Sequence, residues 1–178
     1  MTFTASLTAA ATDSAIDLSP AQVDAFAVYN DLLVAWNEKM NLTAITAPQE
    51  VAVKHVIDSL TCYATDVFPA GCSVVDVGTG AGFPGLPLKI YRPDIRLTLL
   101  DSLNKRLNFL HAVVDRLGLN GVELVHARAE EAGRLKVHRE RYQVATSRAV
   151  ARLSTLAELC LPLVAVGGRF VALKGAQY

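Results

Sequence analysis

Val74-Val75-Asp76-Val77-Gly78-Thr79-Gly80-Ala81-Gly82-Phe83-Pro84-Gly85 is the stretch that decides the fold. The apolar run ahead of Gly78 reads as a buried strand. Four glycines in the eight positions from Gly78 to Gly85 free the backbone to turn sharply and approach a ligand closely. A glycine-rich turn that opens a helix also directs unpaired backbone N–H groups at whatever occupies it. An ordinary strand-to-helix turn has no need of so many glycines, whereas the cradle of an adenosine-containing cofactor does.

Outward from this turn, short apolar runs alternate with amphipathic stretches, the pattern of a parallel sheet covered by helices on both faces and hence of the α/β class. Strands are expected at residues 74–77, 97–100, 122–125, 142–146 and 169–173. The clearest helix spans residues 104–117, with Leu107, Leu110, Val114 and Leu117 on one face and Gly118 as its stop. Upstream, Ser19-Pro20-Ala21-Gln22 is a helix start, followed by Val23, Phe26, Tyr29, Leu33, Trp36 and Met40 at helical spacing. The stretch from Thr46 to Gln49 repeats the cap pattern. Val53, Val56, Ile57, Leu60 and Tyr63 then form a second helix that ends before Phe68-Pro69-Ala70-Gly71. The expected organisation is a flexible leader over residues 1–18 and a single domain over residues 19–178. Within that domain, residues 19–70 form an N-terminal helical cap and residues 71–178 the cofactor-binding core.

A chain of 178 residues suffices for one domain that buries roughly 70% of its unfolded surface without staples. No apolar stretch reaches the length needed to cross a bilayer, and the start MTFTASLTAAATD lacks the basic flank of a secretory signal, so a cytoplasmic protein is expected. Cys62, Cys72 and Cys160 form no C-x-x-C pair, which suits a reducing compartment. His55, His111, His126 and His138 show no ligand spacing, so no metal is expected. Net charge is zero, but its distribution is uneven: residues 1–38 hold five acidic side chains and no Lys or Arg. Between Gly133 and Arg152, Arg134, Lys136, Arg139, Arg141, Arg148 and Arg152 are opposed only by Glu140. Such a run is either a solvated face or a rim that meets phosphates.

Two cofactors compete for the glycine turn. Gly80-Ala81-Gly82-Phe83-Pro84-Gly85 satisfies the dinucleotide pattern G-x-G-x-x-G, and Asp101 follows Gly80 at a spacing suited to a ribose hydroxyl. Against a dinucleotide, no tyrosine has a lysine four residues later to serve a reductase, and Pro84 and Pro87 delay the helix that a pyrophosphate prefers. Asp76 precedes the first glycine by two residues, the D-x-G-x-G order of S-adenosylmethionine enzymes. A sulfonium nucleoside carries no phosphate. It asks for backbone contacts to its amino-acid tail, an acid for its ribose and an apolar slot for adenine. Asp101, ending the second strand, is the ribose candidate, because a carboxylate can accept both hydroxyl hydrogens. Ala129-Glu130, after the third strand, fall where the adenine edge would lie. Alternatively, Asp101 caps the following helix and Glu130 is a surface carboxylate.

Six blocks in register together resemble the glucose-inhibited division protein B methyltransferases, the small-subunit ribosomal RNA guanine-N7 enzymes. They are Trp36-Asn37 with Asn41-Leu42-Thr43; His55-Val56-Ile57-Asp58-Ser59; the turn from Asp76; Leu99-Leu100-Asp101-Ser102 with Lys105-Arg106; Ser147-Arg148-Ala149; and Ala172-Leu173-Lys174-Gly175. The resemblance implies a Rossmann-like, class I S-adenosylmethionine-dependent methyltransferase fold. It also implies transfer of a methyl group to N7 of a guanine in 16S ribosomal RNA, with that RNA or the small ribosomal subunit as partner. By position it implies cofactor contacts at Gly78, Phe83, Ala129, Glu130 and Arg148, with Arg148 also the candidate catalytic residue; Gly80, the second glycine of the D-x-G-x-G order, joins them as a cofactor-binding candidate. Asn41, Lys174 and the basic Arg134, Arg139 and Arg141 become candidates for RNA contact, and a monomer is expected. In that family the fifth strand is followed by further sheet, so two strands are expected to be missing from a chain that stops at Tyr178.

The chemistry implied needs no base. Guanine N7 presents a lone pair in the ring plane, so alignment and a suitable electrostatic environment suffice. Thr146-Ser147-Arg148-Ala149 lacks the Asn/Asp-Pro-Pro-aromatic pattern of amine methylation, and Cys160 falls on a helix, which argues against a thiolate route. Arginine commonly grips guanine O6 and N7 together. With N7 turned to the methyl group, Arg148 is left for O6, a phosphate or the cofactor carboxylate, or else pairs with a nearby acid. A non-catalytic RNA-binding or assembly factor and a small-molecule methyltransferase remain as alternatives.

Overall fold

The computed structural model describes residues 2–64, 66–148 and 151–173. Five strands, β1 (Ser73–Val77), β2 (Arg96–Asp101), β3 (Val122–His126), β4 (Tyr142–Arg148) and β5 (Val164–Leu173), form one sheet in the order β3-β2-β1-β4-β5, every pair parallel. The chain runs outward from β1 to β3 and then returns to the other side of β1 for β4. The helices α5 (Gly85–Tyr91) and α6 (Asn104–Leu117) therefore cover one face, and α7 (Ala129–Ala132) and α8 (Leu153–Cys160) the other. This reversal between β1 and β4 opens a crevice at the carboxyl ends of the strands.

Strand periodicity divides the core. Val74, Leu97, Leu99 and Val144 face α5 and α6, whereas Val75, Val77, Leu100 and Ala145 face α7 and α8. The first face is thick. Over α5 and α6 lie α2 (Pro20–Asn37), a π-helical segment (Val51–Ile57) flanked by α3 (Pro48–Glu50) and α4 (Asp58–Thr61), and α1 (Phe3–Asp13). Ser19 caps α2 as expected, its hydroxyl accepting from the Gln22 N–H while Gln22 returns its amide oxygen to the Ser19 N–H. The Gln22 Nε2 reaches on to the carbonyls of Ile90 and Tyr91, where the end of α5 needs donors.

Several expectations are corrected. The stretch expected as a flexible leader carries a packed helix over its described residues: Thr2 caps α1, and Phe3, Leu7 and Ala11, one per turn, are buried in the main core. α2 ends at Asn37, so Met40 lies beyond it in a turn. There the Asn37 side chain accepts from the Leu42 and Thr43 N–H groups and donates to the Thr43 carbonyl. Thr46 caps nothing, because Pro48 fixes the next helical start with Ala47 before it, and that helix widens into a π segment rather than continuing as α-helix. β5 begins at Val164 instead of residue 169. Gly168 allows the close approach that hides this start, since a Cβ there would sit 2.6 Å from the Gln143 carbonyl oxygen. Gly118 ends α6 in the left-handed conformation, as expected.

Candidate active site

The four glycines of the turn divide into two kinds. Gly78 and Gly80 have φ of +66° and +60°, a left-handed backbone that disfavours any side chain, and a Cβ on Gly78 would meet nothing within 4 Å. Gly82 and Gly85 do not face a ligand. A Cβ on Gly82 would lie 2.6 Å from the Tyr29 hydroxyl and 2.7 Å from Leu86, and one on Gly85 would lie 2.8 Å from Asp76 Oδ2. Half of the cluster thus presents open backbone, and half seats the loop against its own core.

Hydrogen bonds from several sides hold the loop. The Gly78 and Thr79 N–H groups donate to the Leu100 carbonyl, and the buried Tyr29 hydroxyl of α2 donates to the Ala81 carbonyl. Beneath them Asp76, fully buried, accepts from Thr79 Oγ1 (2.7 Å), the Gly85 N–H (3.0 Å) and Thr146 Oγ1 (3.2 Å). Burial pushes its carboxyl up to about 6, against the pull of those three donors.

A cleft of about 420 Å³ opens at the carboxyl ends of β1 to β4, on the thin face. Gly78, Asp101, Ser102, Ala129 and Glu130 line it, and Leu156 and Leu159 of α8 give it apolar surface. The size suits a small-molecule ligand. Asp101 is 2% exposed, and its Oδ2 accepts from the Gly80 N–H (2.9 Å) and Arg106 (3.3 Å) while Oδ1 accepts from the Leu103 N–H (2.9 Å). A carboxylate offers about four acceptor positions. Three are engaged, so one remains for a sugar hydroxyl rather than the two anticipated, and Asp101 both pins the loop and opens α6. Glu130 is exposed and pairs with Arg128 at 3.6 Å.

The remaining sequence candidates lie elsewhere. Gly80 contributes its N–H to Asp101 without lining the cleft. Phe83 is 4% exposed on the thick face, stacked on Tyr29 and His55 with ring centroids 5.3 and 4.5 Å away. Arg148 shares the strand parity of Val144 and Thr146, so it too turns toward the helical cap while Ser147 lines the cleft. Its guanidinium donates to the Lys54 carbonyl (3.0 Å), Asp58 (3.3 Å) and His55 Nδ1 (3.0 Å), 4.9 Å above the Phe83 ring. The basic run does not ring the cleft. Arg141 opens toward the amino ends of the strands beside Ser73, Arg96 and Gly121, donating to the Lys136 carbonyl, and Arg139 donates to the Gly133 carbonyl. Arg134 and Asn41 are exposed, and Lys174 lies outside the described residues. Sequence reasoning missed Ser147, Ser102 and Arg106. Counting alternation along β4 one step on from Thr146 exposes the first of these.

Comparison with known proteins identifies the lineage. A family model described as GidB, rRNA small subunit methyltransferase G, matches residues 22–178. The chain belongs to this family. Ribosomal RNA small subunit methyltransferase G of Desulforamulus reducens is 52% identical over 97% of this chain and 72% of its own length. The one from Alkaliphilus metalliredigens is 56% identical over 88% of this chain and 65% of its own length. Among solved structures, coclaurine N-methyltransferase bound to N-methylheliamine and SAH aligns with a TM-score of 0.54 at 16% identity, covering 72% of this chain and 36% of that one. Pyrococcus horikoshii TYW2 in complex with MeSAdo aligns at 0.51 and 13% identity, covering 62% and 40%. The fold is that of class I S-adenosylmethionine-dependent methyltransferases. The cleft fits such a nucleoside in three respects: open space before Gly78, a free acceptor position on a buried carboxylate, and an apolar wall from α8. Among the described residues no three His, Cys, Asp or Glu side chains gather as metal ligands, and no helix is long and apolar enough to cross a membrane.

Proposed function

We propose that this chain transfers a methyl group from S-adenosylmethionine to N7 of a guanine in 16S ribosomal RNA. The observation that carries the reading is the cleft at the switch between β1 and β4, with Gly78 and Asp101 on its borders. The cofactor, when bound, supplies a methyl group activated on a sulfonium. The rest is done by the chain. Gly78 would offer a backbone approach for the amino-acid tail, Asp101 would hold the ribose through its remaining acceptor position, and Ala129 and Glu130 would border the adenine.

Among the described residues at the end of β4, no side chain is free to act as a base or nucleophile. Thr146 Oγ1 donates to Asp76, and Ser147 Oγ donates to the Val77 carbonyl at 3.0 Å. Burial pushes the Cys160 thiol up to about 12, so it stays protonated. N7 needs neither group, because its lone pair would form the new bond to carbon as the carbon–sulfur bond breaks, with no proton to be removed. Catalysis then rests on alignment. Arg148 and the exposed Asn41 turn stand on the helical-cap side of the same strand ends, where an RNA loop can approach. The target base must leave its stack to reach a recessed methyl group.

The test is incubation with labelled S-adenosylmethionine and either 16S RNA or small subunits, followed by mapping of the modified nucleotide. Label on guanine N7 is expected. Calorimetry without cofactor binding would instead make the chain a scaffold, and label on small molecules alone would replace the RNA substrate.

A further inference from the structure

We propose that His55 is a positioning residue that holds the Arg148 guanidinium at the carboxyl end of β4, acting as an imidazole with its hydrogen on Nε2. The inference rests on the reading of these strand ends as the methyl-transfer site.

The tautomer follows from the partners. A guanidinium has donors and no acceptor, so the Arg148 nitrogen 3.0 Å from His55 Nδ1 must donate, and Nδ1 must carry the lone pair. The ring hydrogen is then on Nε2, 2.9 Å from Thr43 Oγ1. Thr43 is itself fixed. Its hydroxyl oxygen also accepts the Ile45 N–H, and its backbone is clasped by Asn37 through three hydrogen bonds shared with Leu42. A polar chain thus runs from the end of α2 through Thr43 and His55 to Arg148.

The surroundings favour the neutral ring. His55 is 7% exposed, and burial together with the Arg148 charge holds its pKa down at about 4. The groups that face it or share its stack are Arg148 from β4, Asp58 from α4 through that same guanidinium, and Tyr29 from α2 on the Phe83 ring, while the Lys54 amine turns away to Glu50. Phe83 completes the seat: His55 stacks on it, and the guanidinium lies over it. Arg148 is therefore held by a carbonyl, a carboxylate, an imidazole lone pair and an aromatic face. A side chain so fixed can present its charge to O6 or a phosphate of the incoming nucleotide without reorganising.

Nitrogen-15 spectra of the imidazoles in the full chain test the geometry without any methylation. The Nε2–H tautomer should persist well below pH 6, and in Arg148→Ala the His55 titration should move up by roughly one unit. Kinetics test the role. His55→Phe keeps the stack and removes both nitrogens. It should keep its melting temperature within a few degrees and leave the KM for S-adenosylmethionine within twofold, while kcat falls on the order of tenfold to a hundredfold. His55→Asn, which restores an acceptor near the Nδ1 position, should recover most of that loss. In an Arg148→Ala background His55→Phe should cost nothing further. An Nδ1–H tautomer, losses that multiply, or full activity in His55→Phe overturns the proposal. If the unaltered protein methylates no RNA, the function assigned above fails while the spectra still decide the His55–Arg148 contact.

Discussion

The two faces of the sheet are built differently. On one, α5 and α6 are overlain by α2, the π segment and α1, and a continuous core runs from Phe3 to Val144. On the other, α7 is a single turn and α8 about two, over a small cluster that leaves Leu153 and Leu161 more than half exposed. The thick face supplies rigidity and the thin one leaves room for the cleft, and the glycine turn straddles both. Substitution within that turn separates the two roles. Gly82→Ala drives a Cβ into Tyr29, Leu86 and Leu110 at φ +99°; overpacking and backbone strain together cost roughly 3–5 kcal/mol, lowering the melting temperature by about 10 °C. Gly78→Ala enters open space at φ +66° and should cost about 1–2 kcal/mol while weakening S-adenosylmethionine binding about tenfold or more. Thermal melts beside calorimetry check both, and equal loss of stability in the two variants breaks the distinction.

The same contrast predicts an unusual pH response. Asp76 and His55 both serve the thick side of the turn, and their ionisations pull in opposite directions. The Asp76 carboxyl, raised to about 6, holds its proton longer when folded, so its contribution is full at low pH and lost as pH rises through 6. The His55 imidazole, lowered to about 4, resists protonation when folded, so its contribution is full above the ordinary histidine range and lost as pH falls through 4. Each spans about two pH units, roughly 3 kcal/mol. Asp94, held low by Arg92, titrates beneath this window. Unfolding free energy should therefore change little between pH 4 and 6 in the unaltered chain. Asp76→Asn should retain the fold, its amide oxygen still accepting from Thr79 and Gly85, and uncover a stability that rises with pH. His55→Phe should uncover the reverse. Denaturant titrations at pH 4, 5 and 6 decide it, and parallel curves for all three proteins would refute the opposition.

Legibility in the sequence followed the same division. Strand runs, the Ser19 cap and the Gly118 stop are local signals backed by packing, and they appear where expected. α1 escaped notice because alanines and threonines dilute its stripe, although Phe3, Leu7 and Ala11 are spaced for one face. The start of β5 was masked by Gly167-Gly168, which interrupt the apolar run and let the strand close on β4. At the site, Gly78, Asp101, Ala129 and Glu130 border the cleft. Arg148 and Phe83 lie on the helical-cap side instead, a placement that strand parity gives for Arg148 and the motif alone does not. The Thr43–His55–Arg148 chain joins residues more than ninety positions apart, a pairing that no local pattern encodes.

The smallest expected effect sharpens the distinction between strand ends. Sequence charge alone grouped Arg141 with Arg148, yet they stand at opposite ends of β4, separated by roughly 20 Å at the rise of an extended chain. Arg141 opens on the groove beside Ser73 and Arg96, behind the cleft rather than around it. A phosphate contact removed at the site should flatten the salt dependence of RNA binding by nearly one unit of slope. Arg141→Ala should leave both that slope and the methylation rate within twofold of the unaltered chain, because RNA threaded to the carboxyl ends does not pass it. A slope reduced by a full unit in Arg141→Ala would instead extend the RNA track around the sheet to its amino end, and the thick and thin faces would then share a substrate that only the strand tips were built to meet.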